Sequence, residues 1–424
     1  MIVRRSAALL AATAVIGTVC APAAFADESP SPSASQAFPS GLFGSTDPTY
    51  DGVWRQSLAL LAQHTVGVKP AAEAVDWLTG QQCANGAFAP YRADASARCD
   101  TKTKIDTNST AAAVQALEAL GGHRSVTGDA VKWLKSVQNE DGGWGYAPGG
   151  ASDANSTSVV IGALKAADID PGDVPSKDEK TPYDALLALS VPCDEDGGGA
   201  FAFQPDKKGR LAANADATAA GVLGSLGQGL VTQTGDKAGD DASRGSAAKG
   251  SKCERGDSFT RQDAAANGAA HLTGALAKNG YLKSALAGAE DQPDHGTTAD
   301  AVVALAAAGR TSETGKPLAW LEKNSGTWAA KSGPAAYAQL IFAAHATGTD
   351  PRDFGGADLV KQLGATGPAP GQDSDDSAGP ADENKKKQND EDGGVSLWWI
   401  IGVGLVGGIG VGFLISGRNK KQQP

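Results

Sequence analysis

The stretch DTNSTAAAVQAL, residues 106–117, returns almost unchanged 47 residues later as DANSTSVVIGAL, residues 153–164. Each copy opens with Asp, Asn, Ser and Thr, which favour helix N-termini, and continues in small apolar residues, which favour a buried helix. Four weaker copies complete the series, and they begin at Asp51, Asn214, Asp294 and Gly333. The six starts are separated by 55, 47, 61, 80 and 39 residues. Periods of this size are typical of repeat proteins built from helix pairs.

A second, amphipathic line alternates with the first one. It reads AVDWLTGQQCANGAF at residues 74–88 and AVKWLKSVQNEDGGW at residues 130–144, with weaker copies near residues 182, 269, 318 and 353. Its charged residues indicate a solvent-facing side, whereas the first line is almost free of charge. We therefore predict an all-α fold, an α6/α6 double-ring toroid with six inner and six outer helices over residues 46–365.

These two lines resemble known repeats. AVKWLKSVQNEDGGWGY resembles the QW-type repeat of the prenyltransferase and squalene-cyclase superfamily, the terpenoid cyclase-like α/α-toroids. DTNSTAAAVQALEAL also resembles the inner-helix line of the cobalamin carriers, transcobalamin and intrinsic factor, which share the toroid. In those carriers, polar residues at inner-helix starts contact the corrinoid. The second resemblance therefore implies a corrinoid (cobalamin-like) ligand, although the β-domain that closes over the ligand in the carriers is missing here.

The catalytic motifs of the superfamily are absent or misplaced in this chain. The DxDD motif of squalene cyclases occurs only at residues 373–376, in a charged segment that cannot form a cavity. The CGEQ line of the thioester proteins does not occur. Zinc ligation, as in protein prenyltransferases, needs cysteines that an exported chain commits to disulfides. We therefore predict no catalytic residue, no metal and no cofactor beyond a possible corrinoid.

Export and membrane anchoring are predicted from the two ends of the chain. Residues 1–26 read as a signal peptide, 27–45 as a Pro/Ser linker, 366–394 as a disordered acidic stalk and 395–415 as a transmembrane helix. Residues 416–424 form a basic cytoplasmic tail, which places the toroid on the extracytoplasmic face of the plasma membrane. A low-complexity insert at residues 231–260 interrupts the toroid. The net charge of −11 argues against a nucleic-acid partner, and a Gly stripe at Gly404, Gly408 and Gly412 is compatible with a membrane-protein partner such as a transporter.

Four cysteines remain after removal of the signal peptide, and an exported chain is expected to pair them. Three pairings are possible. Cys83–Cys99 and Cys193–Cys253 are favoured because each pair closes one connection of the repeat. A metal site is the alternative, but no CxxC pair supports it.

Candidate ligand-binding residues lie at the starts of the inner helices and among nearby aromatic residues. They are Asp51, Trp54, Asp106, Asn108, Asp153, Asn155, Asn214, Asp216, His295 and Tyr337. Helix capping is the simpler explanation for the polar residues, a rim position for His295, and core packing for the two aromatic residues. Because parallel inner helices place all their starts at one end, we also predict a polar mouth around an apolar pit.

Three functions remain open from the sequence alone. The favoured one is a tail-anchored binding protein without catalysis, which captures a corrinoid or another amphipathic small molecule for a membrane uptake system. The alternative is a cyclase-like or lyase-like enzyme that uses Asp106 and Asp153 as general acid and base. The third is a structural module for interactions at the cell surface.

Overall fold

The fold was analysed in a computed structural model, which describes residues 39–232, 253–254, 259–286 and 288–371. Helices account for nearly all the regular structure of this part. In chain order they are α1 (Gly52–Thr65), α2 (Ala72–Gly80), α3 (Thr107–Leu120), α4 (Arg124–Ser136), α5 (Ala154–Ala166), α6 (Pro182–Ala188), α7 (Ala215–Ser225), α8 (Arg261–Ala277), α9 (His295–Ala307), α10 (Gly315–Asn324), α11 (Gly326–Ser332), α12 (Pro334–Thr347) and α13 (Leu359–Gly364). Two short strands, β1 (Leu282–Lys283) and β2 (Pro293–Asp294), pair antiparallel before α9.

Six of these helices form a closed inner ring. In ring order they are α1, α3, α5, α7, α9 and α12; each packs against the next, and α12 packs against α1. In α3, every residue from Thr107 to Leu117 is buried. Ala and Gly allow this close approach because they present little side-chain volume between neighbouring helices. The ring closure confirms the predicted double-ring toroid over the described residues.

The remaining helices cover the ring from outside. Helix α4, for example, contacts both α3 and α5; it buries Trp133 and Leu134 and exposes Lys132 and Lys135. Helices α2, α6, α8 and α13 take corresponding places, and α10 with α11 together fill the fifth outer position. The amphipathic line thus forms the outer layer, as predicted.

The Gln and Gly of the amphipathic line hold successive repeats together. The Gln138 side-chain amide donates to the carbonyl oxygen of Gly142 at 2.8 Å and to that of Val174, in the next repeat, at 3.1 Å. Gly142 has a φ of 88°, and a Cβ there would lie 2.2 Å from the carbonyl oxygen of Thr181. Only glycine fits this turn, because the start of the next outer helix comes so close.

Both predicted disulfides are present: Cys83 is bonded to Cys99 and Cys193 to Cys253. Among the described residues, no helix has the length and apolarity needed to cross a membrane. The predicted signal peptide, the stalk from residue 372 onward, the transmembrane helix and the basic tail lie outside the described residues. The same holds for most of the insert.

Candidate functional site

Capping explains the polar residues at four inner-helix starts. Asp106 Oδ1 accepts from the N–H of Ser109 at 2.7 Å, and Asp153 Oδ1 accepts from that of Ser156 at 2.7 Å. The same caps are made by Asn214 and Asp294. Asp51 differs, because it makes no cap hydrogen bond and instead forms an ion pair with Arg55 at 3.2 Å. The capping interpretation therefore holds for Asp106, Asp153 and Asn214.

A threonine four residues after the cap faces the outer layer. Thr110 Oγ1 accepts from the N–H of Phe88 at 2.9 Å and donates to the carbonyl oxygen of Asp106 at 2.7 Å. In the same way, a backbone N–H of the preceding loop donates to Oγ1 of Thr157, of Thr218 and of Thr298. Residues two and four places after the cap point about 200° apart around a helix. The second residue after the cap therefore faces the lumen of the ring.

Five polar side chains form an arc along the lumen, one from each of five consecutive inner helices. Asn108, Asn155 and Asp216 lie two residues after their caps, and Asp300 and Gln339 lie six residues after theirs, one turn deeper. The Asn155 amide donates to Asp216 Oδ2, and the Gln339 amide donates to Asp300 Oδ2 at 2.9 Å. We call these five residues the polar arc. These contacts join the first turns of α5 and α7 and the first two turns of α9 and α12.

Trp54 of α1 occupies the sixth side of the mouth. The N–H of Val53 donates to the carbonyl oxygen of Pro90, just as the N–H of Thr107 donates to the next loop at Tyr146. This equivalence places Trp54 at the same level as Asn108. Trp54 is half-buried and packs against the main core. In ring order, α1 stands opposite α7, so an aromatic ring and the Asp216 carboxyl occupy opposite sides of the lumen.

The carboxyls of the arc are desolvated but not sealed from water. Burial raises the pKa of Asp216 to about 7, with the Asp294 and Asp153 carboxyls adding to the effect and the Asn155 amide opposing it. Burial likewise raises the pKa of Asp300 to about 8, and the Asp216 carboxyl adds to it. Both side chains nevertheless keep partial contact with solvent. A carboxyl that is surrounded by protein but keeps some contact with solvent is expected at the wall of a recess.

Several buried polar atoms around the arc lack a hydrogen-bond partner within the described chain. Asn108 is 3% exposed, and neither atom of its side-chain amide is paired. Asn155 is 6% exposed, and its Oδ1 is unpaired. Asp106 Oδ2 is a third free acceptor, and burial raises the pKa of this carboxyl to about 7. Each such atom costs about 1–3 kcal/mol unless a bound molecule or water satisfies it.

The chain itself forms the floor of this recess. Residues 228–232, here the plug segment, follow α7 and enter the ring. Gln115 on α3 accepts from the N–H of Leu230 at 2.8 Å and donates to the carbonyl oxygen of Val159 on α5 at 2.9 Å. A Cβ on Gly162 would lie 2.7 Å from Gly229 Cα. Because Gln115 lies seven residues beyond Asn108 on the same helix, the floor is about 10 Å below the rim. The plug segment therefore closes the lumen at the end far from the helix starts, and the open pit at the helix starts stays a prediction.

Two of the candidate residues lie away from the lumen. The imidazole of His295 stands between Trp320 and Trp328, with ring centroids 4.8 and 5.4 Å away; burial among these rings lowers its pKa. Tyr337 is four residues after the cap residue of α12, at the position whose side chain faces outward, and it is 6% exposed. It lines a cleft of about 280 Å³ together with Glu322, Ser325, Phe354, Leu359 and other residues of the outer layer. Packing accounts for both side chains.

Asp300 and Gln339 were not identified from the sequence. Their signal is present in the sequence, since each is a polar residue four places after a small residue at the level of Asn108. Residues four apart share one helix face. Among the described residues, no group of three His, Cys, Asp or Glu side chains has the arrangement of a metal site.

Comparison with known proteins finds similarity only at the level of solved structures. No protein-family model and no curated protein matches the chain. The ent-copalyl diphosphate synthase from Streptomyces platensis is similar with a TM-score of 0.44 and 13% identity, over 70% of this chain and 50% of that one. The apo type II terpene cyclase MstE from Scytonema has a TM-score of 0.42 and 12% identity, over 66% of this chain and 72% of that one. A protein from Actinoplanes has a TM-score of 0.31 and 15% identity, over 69% of this chain and 100% of that one.

This chain therefore spans half the length of the copalyl diphosphate synthase. The likeness is to the terpenoid cyclase-like toroid, and the assignment of that fold rests on the closed ring of helices. The comparisons do not show the similarity to cobalamin carriers that the sequence suggested.

Proposed function

We propose that the mouth of the toroid binds a small organic ligand between the polar arc and Trp54. The unpaired amide of Asn108 is the observation that carries this proposal, because a buried amide without a partner is costly and a bound molecule can supply both missing hydrogen bonds. The recess is lined by side chains from six different helices, so a ligand there is held by a rigid frame. Its closed floor requires entry from the mouth.

The expected ligand has an apolar body and polar edges. Leu58, Val159 and Ala220 lie one turn below the rim, on α1, α5 and α7, and add apolar surface to the walls. The polar arc supplies donors and acceptors. A corrinoid has such a body and amide edges and remains one candidate for this ligand, as does any smaller molecule of the same kind.

A catalytic role is the second candidate, and Asp300 is the observation that favours it. With a pKa of about 8, its carboxyl is largely protonated at neutral pH, within a recess where a substrate can reach it. A protonated acid beside a bound substrate can act as a general acid. In this hypothesis Asp300 replaces Asp106 and Asp153, which are committed to capping.

The test is a ligand screen on the full chain with matched variants. The wild-type protein is screened by thermal shift against cyanocobalamin and a set of neutral amphipathic molecules, at concentrations up to the millimolar range. Hits should lose their stabilising effect in Asn108→Leu and Asn155→Leu but keep it in Asn324→Ala, a change at an exposed helix end. Hits that are equally affected by all three variants would refute binding at the mouth. Turnover of a hit that is abolished in Asp300→Asn would favour the enzyme.

The exported, membrane-anchored topology and a membrane partner also remain proposals. We expect residues 27–394 outside the cell and the basic tail inside. Protease added to intact cells should remove the toroid. A toroid that is protected until the cells are lysed would refute this topology.

A further inference from the structure

We propose that the polar arc selects an organic ammonium ion, which is received by the carboxylates of Asp216 and Asp300 and by the free carbonyl oxygen of Asn155. This inference rests on the proposed ligand-binding function of the mouth and specifies the chemistry of the ligand.

In the described part of the chain, the carboxyls of Asp216 and Asp300 have only other carboxyls as the charged groups acting on them. The charged groups that act on Asp216 are the carboxyls of Asp294 and Asp153, and those that act on Asp300 are the carboxyls of Asp216 and Asp294. Neutral amides, Asn155 and Gln339, make the hydrogen bonds to the two carboxyls. Like charges at close range disfavour ionisation, and a bound cation removes that penalty. Within the described residues the cluster therefore lacks a positive partner, which a cationic ligand supplies.

Two side-chain amide oxygens beside these carboxyls accept no hydrogen bond from the described residues. Asn155 is more than nine-tenths buried, and it holds Asp216 with its amide nitrogen while its Oδ1 has no donor. Asn108 Oδ1, at the same level on the neighbouring helix, is also without a donor. A primary ammonium group carries three N–H donors and no acceptor. Oxygen acceptors on different helices around the recess can accept these N–H groups from several directions.

Trp54 provides a surface for the apolar part of the ligand. Trp54 stands opposite Asp216 across the ring and is half-buried. An aromatic face stabilises a nearby organic cation and also packs against an apolar group. With a floor about 10 Å below the rim, the recess suits a small aryl- or alkylammonium ion.

The probes are methylammonium, benzylammonium and cyclohexylammonium chloride, with benzyl alcohol, cyclohexanol and benzoate as neutral and anionic analogues. Binding to the full chain is followed by thermal shift, and hydrogen exchange locates it. We expect saturable stabilisation by at least one of the ammonium ions and protection of the starts of α5 and α7. The double variant Asp216→Asn/Asp300→Asn should lower the affinity at least tenfold, whereas the exposed change Asp129→Asn should leave it unaltered.

The affinity should also depend on pH. Since the ion binds both carboxylates in their ionised form, binding should strengthen by up to about a hundredfold per pH unit below pH 7 and by about tenfold between pH 7 and 8, and it should level off above pH 8. The groups that set this range are Asp216, Asp300, Asp294 and Asp153, which face one another from α7, α9 and the caps of α9 and α5.

The other outcomes separate this inference from the proposed function. If benzyl alcohol or cyclohexanol binds at the mouth as tightly as its ammonium analogue, the mouth is a ligand site but charge does not select the ligand, and the inference fails. If calcium or magnesium chloride competes with the ammonium ions at equal concentration, the site is a metal site and the inference also fails. If no probe protects the mouth, the inference and the proposed function fail together.

Discussion

The side-chain amide of Gln339 on α12 donates to Oδ2 of Asp300 on α9 at 2.9 Å, and so joins two inner helices at the mouth of the ring. This bond favours the ionised carboxyl and lowers its pKa, but burial outweighs it and raises the pKa to about 8. A neutral donor is thus the partner of a carboxyl that stays largely protonated at neutral pH. The energetics of the mouth therefore depend on pH.

The first prediction concerns the stability of Asp216→Asn/Asp300→Asn. The folded-state pKa values of the two carboxyls, about 7 and 8, lie above the value of 3.8 for an unburied carboxyl. Their ionisation therefore costs stability, and that cost is absent below pH 4, grows from pH 4 to 8 and is constant above. The variant should gain about 1–2 kcal/mol over wild type at pH 8, a value reduced for partial solvent contact. Urea unfolding at pH 5 and pH 8 measures the gain. An equal difference at the two pH values, or a gain of the same size in Asp129→Asn, would contradict the assignment.

The second prediction concerns the threonine that orients four of the inner helices, α3, α5, α7 and α9. Thr110→Val keeps the side-chain shape but leaves the buried N–H of Phe88 without its acceptor. We expect a loss of about 1–3 kcal/mol in the free energy of unfolding. Thr101→Val, on the exposed loop before α3, is the control and should change it by less than about 0.5 kcal/mol. Equal effects of the two changes would show that the Thr110 bond does not orient the helix.

The third prediction concerns the plug segment. Gly162→Ala places a methyl group 2.7 Å from Gly229 Cα and 2.8 Å from the amide nitrogen of Gln115. It should destabilise the protein by about 1–3 kcal/mol through overpacking. Gly274→Ala is the matched change in α8, where the new Cβ meets nothing within 4 Å, and it should stabilise by about 0.5–1 kcal/mol. Urea unfolding compares the two variants. A stabilising Gly162→Ala would mean that the plug segment does not lie against α5.

The fourth prediction concerns the disulfides. The Cys193–Cys253 bond joins residues 60 apart in sequence, and the Cys83–Cys99 bond joins residues 16 apart. By loop entropy, replacing the first pair with alanine should cost about 4 kcal/mol and replacing the second about 3 kcal/mol. Denaturant unfolding of the two double variants gives both values. In each variant the removed disulfide is no longer a target for a reducing agent. A larger loss of unfolding free energy on removing Cys83–Cys99 than on removing Cys193–Cys253 would contradict the entropic ranking.

The double ring could be predicted from the sequence because its physical cause is local. A cap residue such as Asp153, followed by small apolar residues, specifies a buried helix wherever it occurs. A Trp-Leu pair followed by Gln and Gly, as at Trp133, specifies an amphipathic helix and its turn. Six alternating copies then require a stack that buries every apolar face, and ring closure provides it. The caps and both disulfides followed from the same repeat phase.

The composition of the site was decided by tertiary structure. Which face of each helix turns to the lumen depends on hydrogen bonds from distant loops, such as that from Phe88 to Thr110. The equivalent bond to Thr298 orients α9 and so places Asp300, which lies deeper on its helix, in the arc.

The position of the plug segment could not be predicted from the sequence either, because residues 228–232 lie between α7 and the low-complexity insert and show no pattern of their own. Their place in the lumen depends on the space that Gly162 leaves and on the acceptor that Gln115 offers. The sequence by itself determined the helices, their order and their layers, since these follow from residue spacing along one chain. Only the tertiary structure decided which side chains meet in the recess, since that depends on contacts between residues far apart in sequence.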